Sequence, residues 1–397
     1  MLTSTIFVFV ILYFVIIRFF FINTFMQSYS NYIVDIDTIK NNLQSYKKLD
    51  SKSKICAVVK ANAYGVGIKN VVGAIDCAVD CYAVANFGEA KKLRQITDKP
   101  ILVLNFVRRE NFNFCRNNNI VVSVGSLIEL KTVLSYFKKN NYDKKLKLHF
   151  AVNTGMNRIG FCSKKDFEKA VLLAKKNENK LQIDGIFSHF YSPNNKKECK
   201  KQFCKFMQFL KILKTYFDLS KITKHISSSV ASIKFPNFRL DMVRLGIVLF
   251  SKVAGLKNFE SKDVTRLTSC VVQLSKVKKG EFVGYSKKYI AQKDMMVATV
   301  PLGYADGIFR QYSKYGKVLC RGKFCKIVGN ICMDMFMIDV SGTNAKMFDS
   351  VVLLGCDKSK NEISTNNMAN WCKTINYEIL TNIKQNRLNV IVKHKKM

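Results

Sequence analysis

After residue 50, eight short apolar, β-rich runs follow one another at 55–59, 81–85, 101–106, 120–124, 148–152, 183–188, 225–229 and 242–250. Between most of them lie amphipathic stretches long enough for a helix, at 87–96, 127–138, 164–176 and 197–217, each bearing lysine and glutamate among its apolar residues. Strand and helix repeated eight times argue for an α/β fold of the (β/α)8 barrel type. An open doubly wound sheet is the simpler competitor.

From about residue 265 the texture changes. Runs at 269–274, 296–300, 324–328, 335–340 and 351–354 are separated by Gly or Asp turns, and a long amphipathic stretch returns only at 366–374. This pattern predicts a mostly β second domain. The expected division is an apolar segment at 1–29, a barrel at 30–264 and a β-rich domain at 265–397, with residues 32–36 a candidate strand for the second domain.

Composition removes several function classes. Lys+Arg exceed Asp+Glu by 65 to 28, but the lysines are spread along the chain with asparagines and no nucleic-acid motif accompanies them, so no nucleic-acid partner is expected. The 13 cysteines lack paired spacing and there are only 4 histidines, so neither a metal site nor a disulfide framework is expected and a reducing cytoplasm is the natural home of the main body. The apolar run at 6–17, resumed at 19–22, reads as a membrane anchor across residues 6–25 or as a start-site artefact with Met26 as the true first residue. A cleaved signal peptide fits less well, because residues 1–5 carry no basic side chain.

Lys60 closes the first barrel run in Ala57-Val58-Val59-Lys60-Ala61-Asn62-Ala63-Tyr64-Gly65, at the strand end where barrel enzymes carry functional side chains. A lysine after apolar residues is costly to bury charged, so its pKa falls unless an anion pairs with it. A Schiff base meets that constraint, because the amine must be neutral to attack an aldehyde. From spacing alone, a solvated strand-end lysine is the commoner case.

The full string resembles the cofactor-lysine motif of the alanine racemase family, and the resemblance continues in order. It runs through Thr154-Gly155-Met156-Asn157-Arg158, Ser188-His189-Phe190, Asp241-Met242-Val243-Arg244-Leu245-Gly246-Ile247, Val283-Gly284-Tyr285, Gly303-Tyr304-Ala305-Asp306-Gly307, Ile331-Cys332-Met333-Asp334 and Ile375-Asn376-Tyr377-Glu378. It spans residues 30 to 380, and the motifs together are specific where each alone is weak.

That resemblance implies a pyridoxal 5'-phosphate enzyme interconverting L- and D-alanine for peptidoglycan supply. It also implies a homodimer in which Lys60 and Tyr285 of the partner subunit stand on opposite faces of the cofactor. Racemisation needs two such groups, each with a lowered pKa, the tyrosine more so because a phenol near pKa ~10 is a poor base at neutral pH. By the same resemblance Arg244 faces the ring nitrogen and keeps it unprotonated, which makes a weaker electron sink and disfavours decarboxylation. Phosphate binding falls to Tyr64, Ser229, the amides of Gly246 and Ile247, and Tyr377, groups that suit a dianion. Arg158 and the Met333 amide are expected to hold the substrate carboxylate, His189 to support Arg244, and Asp334 to orient groups across the dimer interface.

Two departures bear on the substrate side. Ala151 stands where the family commonly carries a lysine, often carbamylated, and Asn153 replaces a usual aspartate, so something else must position Arg158. The tail at 386–389 lacks the usual arginine-rich ending, which leaves the final strands open. Competing readings are a serine or broad-specificity racemase, a barrel decarboxylase, which Arg244 disfavours, and a non-catalytic cofactor-binding protein, which the complete second domain disfavours.

Overall fold

A computed structural model of the chain describes residues 28–137, 144–257 and 259–394. The apolar run at 6–22 lies outside the described residues, and among them no helix is long and apolar enough to cross a membrane. The chain divides into two compact units, Asp35–Val264 and the described part of 1–34 with Thr265–Val392.

After an initial strand β1 (Asn31–Asp35), the first unit holds eight parallel strands: β2 (Lys54–Val58), β3 (Cys81–Val84), β4 (Ile101–Val103), β5 (Ile120–Val124), β6 (Leu146–Ala151), β7 (Leu181–Phe187), β8 (Thr223–His225) and β9 (Met242–Leu245). Each pairs with the next in sequence as far as β8, and β9 pairs with β2 in register Lys54↔Met242 to Ala57↔Leu245. The amides of Asp241 and Arg244 reach back to the carbonyls of Lys224 and Ser227 at 3.1 and 3.0 Å, so the sheet closes on itself as a barrel. The expected (β/α)8 fold is present.

The helices between strands start where the sequence supplies caps. Asn86, Ser126, Ser163 and Asn195 each accept the amide of an acidic residue three positions on, Glu89, Glu129, Asp166 and Glu198, at 3.0–3.2 Å. Each side chain satisfies an amide that the first helical turn leaves without a partner. The helices that follow are Phe87–Arg94, Leu127–Tyr136, Lys164–Lys175 and Lys196–Lys214.

Two of the barrel runs change element within their length. The run at 225–229 is extended only to His225, and Ser229–Lys234 is a helix. The run at 242–250 leaves the sheet after Leu245, because Gly246 (φ −122°, ψ −92°) breaks the strand and Ile247–Phe250 forms a helical turn. A short apolar run does not by itself distinguish a strand from a buried helix.

The second unit is built on an antiparallel sheet with strands at Thr265–Cys270, Gln273–Val277, Met295–Val300, Lys317–Cys320, Lys323–Val328, Phe336–Asp339 and Ser350–Cys356. The single run at 269–274 is two strands, parted at Val271 and Val272. β1 joins this sheet, pairing antiparallel with Thr265–Cys270 (Asn31↔Thr268, Val34↔Thr265). The doubtful tail forms the strand Asn389–Lys393 beside β1, anchored by the Asn389 amide on the Ser30 carbonyl at 3.0 Å. Helices Thr365–Cys372 and Asn376–Asn382 complete the unit.

Candidate active site

Lys60 follows β2 and opens a turn of unusual hand. Ala61, Asn62, Ala63 and Tyr64 all lie in the left-handed region, with φ of 53–57°. Left-handed backbone costs a non-glycine residue on the order of 1–2 kcal/mol, so four in succession persist only where surrounding bonds over-determine them. Those bonds are present. The Ala63 amide donates to Val59 and the Gly67 amide to the Asn62 carbonyl, both at 2.9 Å, and the Asn62 side chain accepts the Ile68 amide at 2.9 Å. Glu89 accepts the Ala61 amide at 2.7 Å with one carboxylate oxygen and the Ala85 amide at 2.8 Å with the other, tying the turn to the end of β3. Glu89 was not legible as a site residue; its place three residues after the Asn86 cap was the available signal.

Burial pulls the Lys60 amine below its ordinary pKa, and Arg158 and Arg244 push it further down against the opposing pull of Glu89. The turn also delivers Tyr64, whose ring packs on Phe250 with centroids 5.2 Å apart. Its hydroxyl lies so close to Gly246 that a Cβ there would collide with it. The Gly246 amide donates to the Ser229 hydroxyl at 3.0 Å. Tyr64, Ser229 and Gly246 thus converge at one place, with Ile247 heading the following helical turn. Two hydroxyls around backbone amides, with space that only a side-chain-free residue leaves, form a cradle suited to a phosphate dianion.

Arg244 is almost fully buried on β9 and its guanidinium is held on several sides. Nη1 donates to His225 Nδ1 at 2.6 Å, and Nη2 donates to the Ser188 carbonyl at 2.7 Å and to His189 Nδ1 at 3.1 Å. Its carbon lies 5.5 Å from the centre of the Phe187 ring. Burial, with repulsion from Arg158, lowers its pKa to about 10, so it stays charged at neutral pH. His189 is pulled down to about 3 by burial and then by Arg244, Arg158 and Lys60, and is therefore neutral. His225 had been read only as part of a strand run. A histidine at the end of a barrel strand was the signal for it.

Arg158 is exposed, on the loop after β6. Asn153 organises that loop, its side-chain oxygen accepting the amides of Gly155 and Asn157 at 2.9 and 3.1 Å. The asparagine therefore caps the loop without the charge of an aspartate. Beside it Ala151, Met156, Arg158, Ser188 and His189 line a small pocket, so the short side chain at 151 leaves space next to the arginine.

Tyr285, Met333, Asp334 and Tyr377 belong to the β-rich unit. Tyr285 heads a short turn in which Ser286 and Lys287 are left-handed, and its side chain is 69% exposed. The Met333 carbonyl accepts the Ala305 amide at 3.0 Å, which joins two of the sequence motifs. Asp334, expected to orient groups across a dimer interface, is engaged within its own unit by Arg387 at 2.7 Å, and the same arginine holds Asp306 at 2.7 Å. Arg387 gives the tail a structural part that the sequence did not reveal. Tyr377 stands on the helix Asn376–Asn382. Among the described residues no cluster of His, Cys, Asp and Glu could hold a metal ion.

Comparisons with known proteins agree along the chain. Residues 34–252 match the family model "Alanine racemase, N-terminal domain" and residues 264–392 match "Alanine racemase, C-terminal domain". The chain is 34% identical over 363 residues to alanine racemase 1 of Caldanaerobacter subterraneus subsp. tengcongensis, covering 89% of this chain and 92% of that protein. It is 35% identical over 356 residues to an alanine racemase of Lactococcus lactis subsp. cremoris, covering 88% and 94%. Among solved structures, alanine racemase from E. faecalis superimposes with a TM-score of 0.84 at 28% identity, covering 92% of this chain and 98% of that one. The Bacillus anthracis alanine racemase with bound L-Ala-P gives a TM-score of 0.84 at 29% identity, covering 92% and 95%.

Proposed function

The chain belongs to the alanine racemase family, and from that premise we propose that it interconverts L- and D-alanine with pyridoxal phosphate, supplying D-alanine for peptidoglycan. The observation that carries this reading is the convergence in one barrel of a lysine with a lowered pKa, two hydroxyls beside the Gly246 amide and a buried, charged arginine. The residues fit the cofactor. Tyr64, Ser229 and the amides of Gly246 and Ile247 would take its phosphate, with Tyr377 as a further hydroxyl, and Lys60 would hold it through its amine. When bound, pyridoxal phosphate supplies the electron sink that makes the substrate Cα proton acidic.

The protein's own groups do the rest. Lys60 Nζ is the proton carrier on one side of Cα, and its lowered pKa leaves more neutral amine at working pH than an ordinary lysine has. Tyr285 of the partner subunit serves the opposite side through Oη, so the active unit is a homodimer with shared sites. Arg244, held by His225 and carrying donors only, would face the ring nitrogen without being able to accept a proton from it, which would limit the sink and favour return of the proton over loss of carbon dioxide. Arg158 and the Met333 amide hold the substrate carboxylate, a group that a guanidinium fork matches.

The test is a chiral assay with added pyridoxal phosphate against L-alanine, L-serine and a panel of other L-amino acids. Lys60→Ala is expected to abolish both the visible cofactor band and D-alanine formation. Tyr285→Phe is expected to keep the band and lose racemisation. Mixing these two inactive proteins is expected to restore part of the activity through subunit exchange. A band that survives Lys60→Ala refutes the cofactor assignment, and wild-type rates in Tyr285→Phe refute the two-base assignment.

A further inference from the structure

Behind Arg244 the barrel holds a line of polar groups that the proposed reaction does not use. His225 Nδ1 receives the Arg244 guanidinium at 2.6 Å, its Nε2 lies 3.0 Å from His149 Nδ1, and His149 Nε2 faces Asp184 Oδ2 at 3.6 Å. His149 and His225 are 4% and 0% exposed, so the two imidazoles lie away from solvent, whereas the Asp184 carboxylate at the far end is partly exposed and also accepts Gln182 Nε2 at 3.1 Å.

The protonation of the line follows from its fixed end. Arginine has donors and no acceptor, so the His225 nitrogen facing it carries a lone pair and the ring proton sits on Nε2. That Nε2–H points at His149 Nδ1, which must then accept, and the His149 proton is left on Nε2 towards Asp184. A second proton on either imidazole would set two donors against each other. Burial and the neighbouring Arg244 hold His225 well below the usual histidine range, in keeping with a neutral ring. The carboxylate is the one member with acceptors only, so it fixes the far end as the arginine fixes the near one. The imidazole beside Asp184 keeps its carboxyl below the usual carboxylate range.

The local backbone is shaped to make this line. Between β6 and β7 the register steps from Leu148↔Ile183 to His149↔Gly185, leaving Asp184 as the extra residue of a bulge. Such a bulge re-aims the side chain it carries. Residue 185 has no side chain, and a Cβ there would fall 2.5 Å from the His149 ring. Phe187 stacks on His225 with centroids 5.2 Å apart and planes at 18°, holding that ring in its plane.

We propose that His149 and Asp184 are positioning residues of the active site, which lock His225 in its Nε2–H tautomer so that its Nδ1 lone pair orients and anchors the charged Arg244 guanidinium. The role of Arg244 towards the cofactor rests on the reading above; the tautomer lock does not. With only four histidines in the chain, nitrogen NMR of 15N-histidine-labelled full-length protein resolves each ring, with assignment by single substitution. Spectra are recorded before and after addition of pyridoxal phosphate.

The expected wild-type result is that His149 and His225 are both neutral Nε2–H tautomers at pH 6–9. Asp184→Asn, whose amide can also donate to His149 Nε2, is expected to bring up an Nδ1–H signal from His149, and from His225 only at the expense of its contact with Arg244, and to lower kcat about tenfold with KM little changed, since tenfold is about 1.4 kcal/mol of lost positioning. Asp184→Glu is expected to recover the wild-type tautomers. Either wild-type ring protonated or in the Nδ1–H form would overturn the proposal, as would Asp184→Asn spectra identical to wild type. Failure of pyridoxal phosphate to give a visible band would instead overturn the functional reading, because the first spectra are taken without it.

Discussion

The hydroxyl of Tyr64 fills the space that a side chain on residue 246 would need, so tyrosine and glycine form a matched pair beside the Ser229 hydroxyl. Gly246→Ala is expected to displace the ring, which packs on Phe250 and has little room to yield. Overpacking of this kind costs about 1–3 kcal/mol. Pyridoxal phosphate affinity should fall by about tenfold or more, roughly 1.4 kcal/mol, in an absorbance titration. Unchanged affinity would mean that the cradle lies elsewhere.

Glu89 joins the left-handed turn after Lys60 to the neighbouring strand through two backbone amides. Removing the carboxylate leaves the part-buried Ala85 amide short of an acceptor and hands the exposed Ala61 amide to water, while the turn keeps its strain. Glu89→Ala is therefore expected to lose about 1–3 kcal/mol in urea unfolding and to weaken the cofactor band, with Glu89→Gln intermediate because its amide oxygen can replace one contact. A variant as stable as wild type would show that the turn is held by the Asn62 and Ala63 bonds alone.

His189 sets an acid limit on stability. Its folded pKa of about 3 lies below the ordinary 6.5, so between those values the unfolded chain binds the extra proton and the folded protein does not. Stability attributable to this group is complete above about pH 6.5 and falls as pH drops towards 3. His225, lowered by burial, acts in the same direction. Thermal unfolding followed from pH 8 to 4 should show Tm decreasing below pH 6.5, and His189→Asn should flatten part of that decline. A profile unaffected by the substitution would place the acid sensitivity in other groups.

Much of this molecule was readable because its signals are local. Eight apolar runs separated by capped amphipathic stretches specify strand and helix through short-range hydrogen bonding and periodicity. Lys60 at the end of the first run, with the ordered motifs that follow it, carries the family resemblance in the sequence itself. At 225–229 and 242–250 an apolar run holds two elements, because a serine or glycine turns the chain inside it.

What the residues alone determined is the repeat of secondary structure, the family and the identity of the groups with chemistry to offer. Only the tertiary structure decided that Glu89 braces Lys60, that Arg387 ties Asp306 to Asp334, and that a one-residue bulge at Asp184 brings a carboxylate to His149. These relationships join residues separated by dozens of positions. Their geometry depends on strand register and barrel closure, which no short stretch of sequence encodes; on β6 and β7 a slip of one residue would point His149 or Asp184 to the other face.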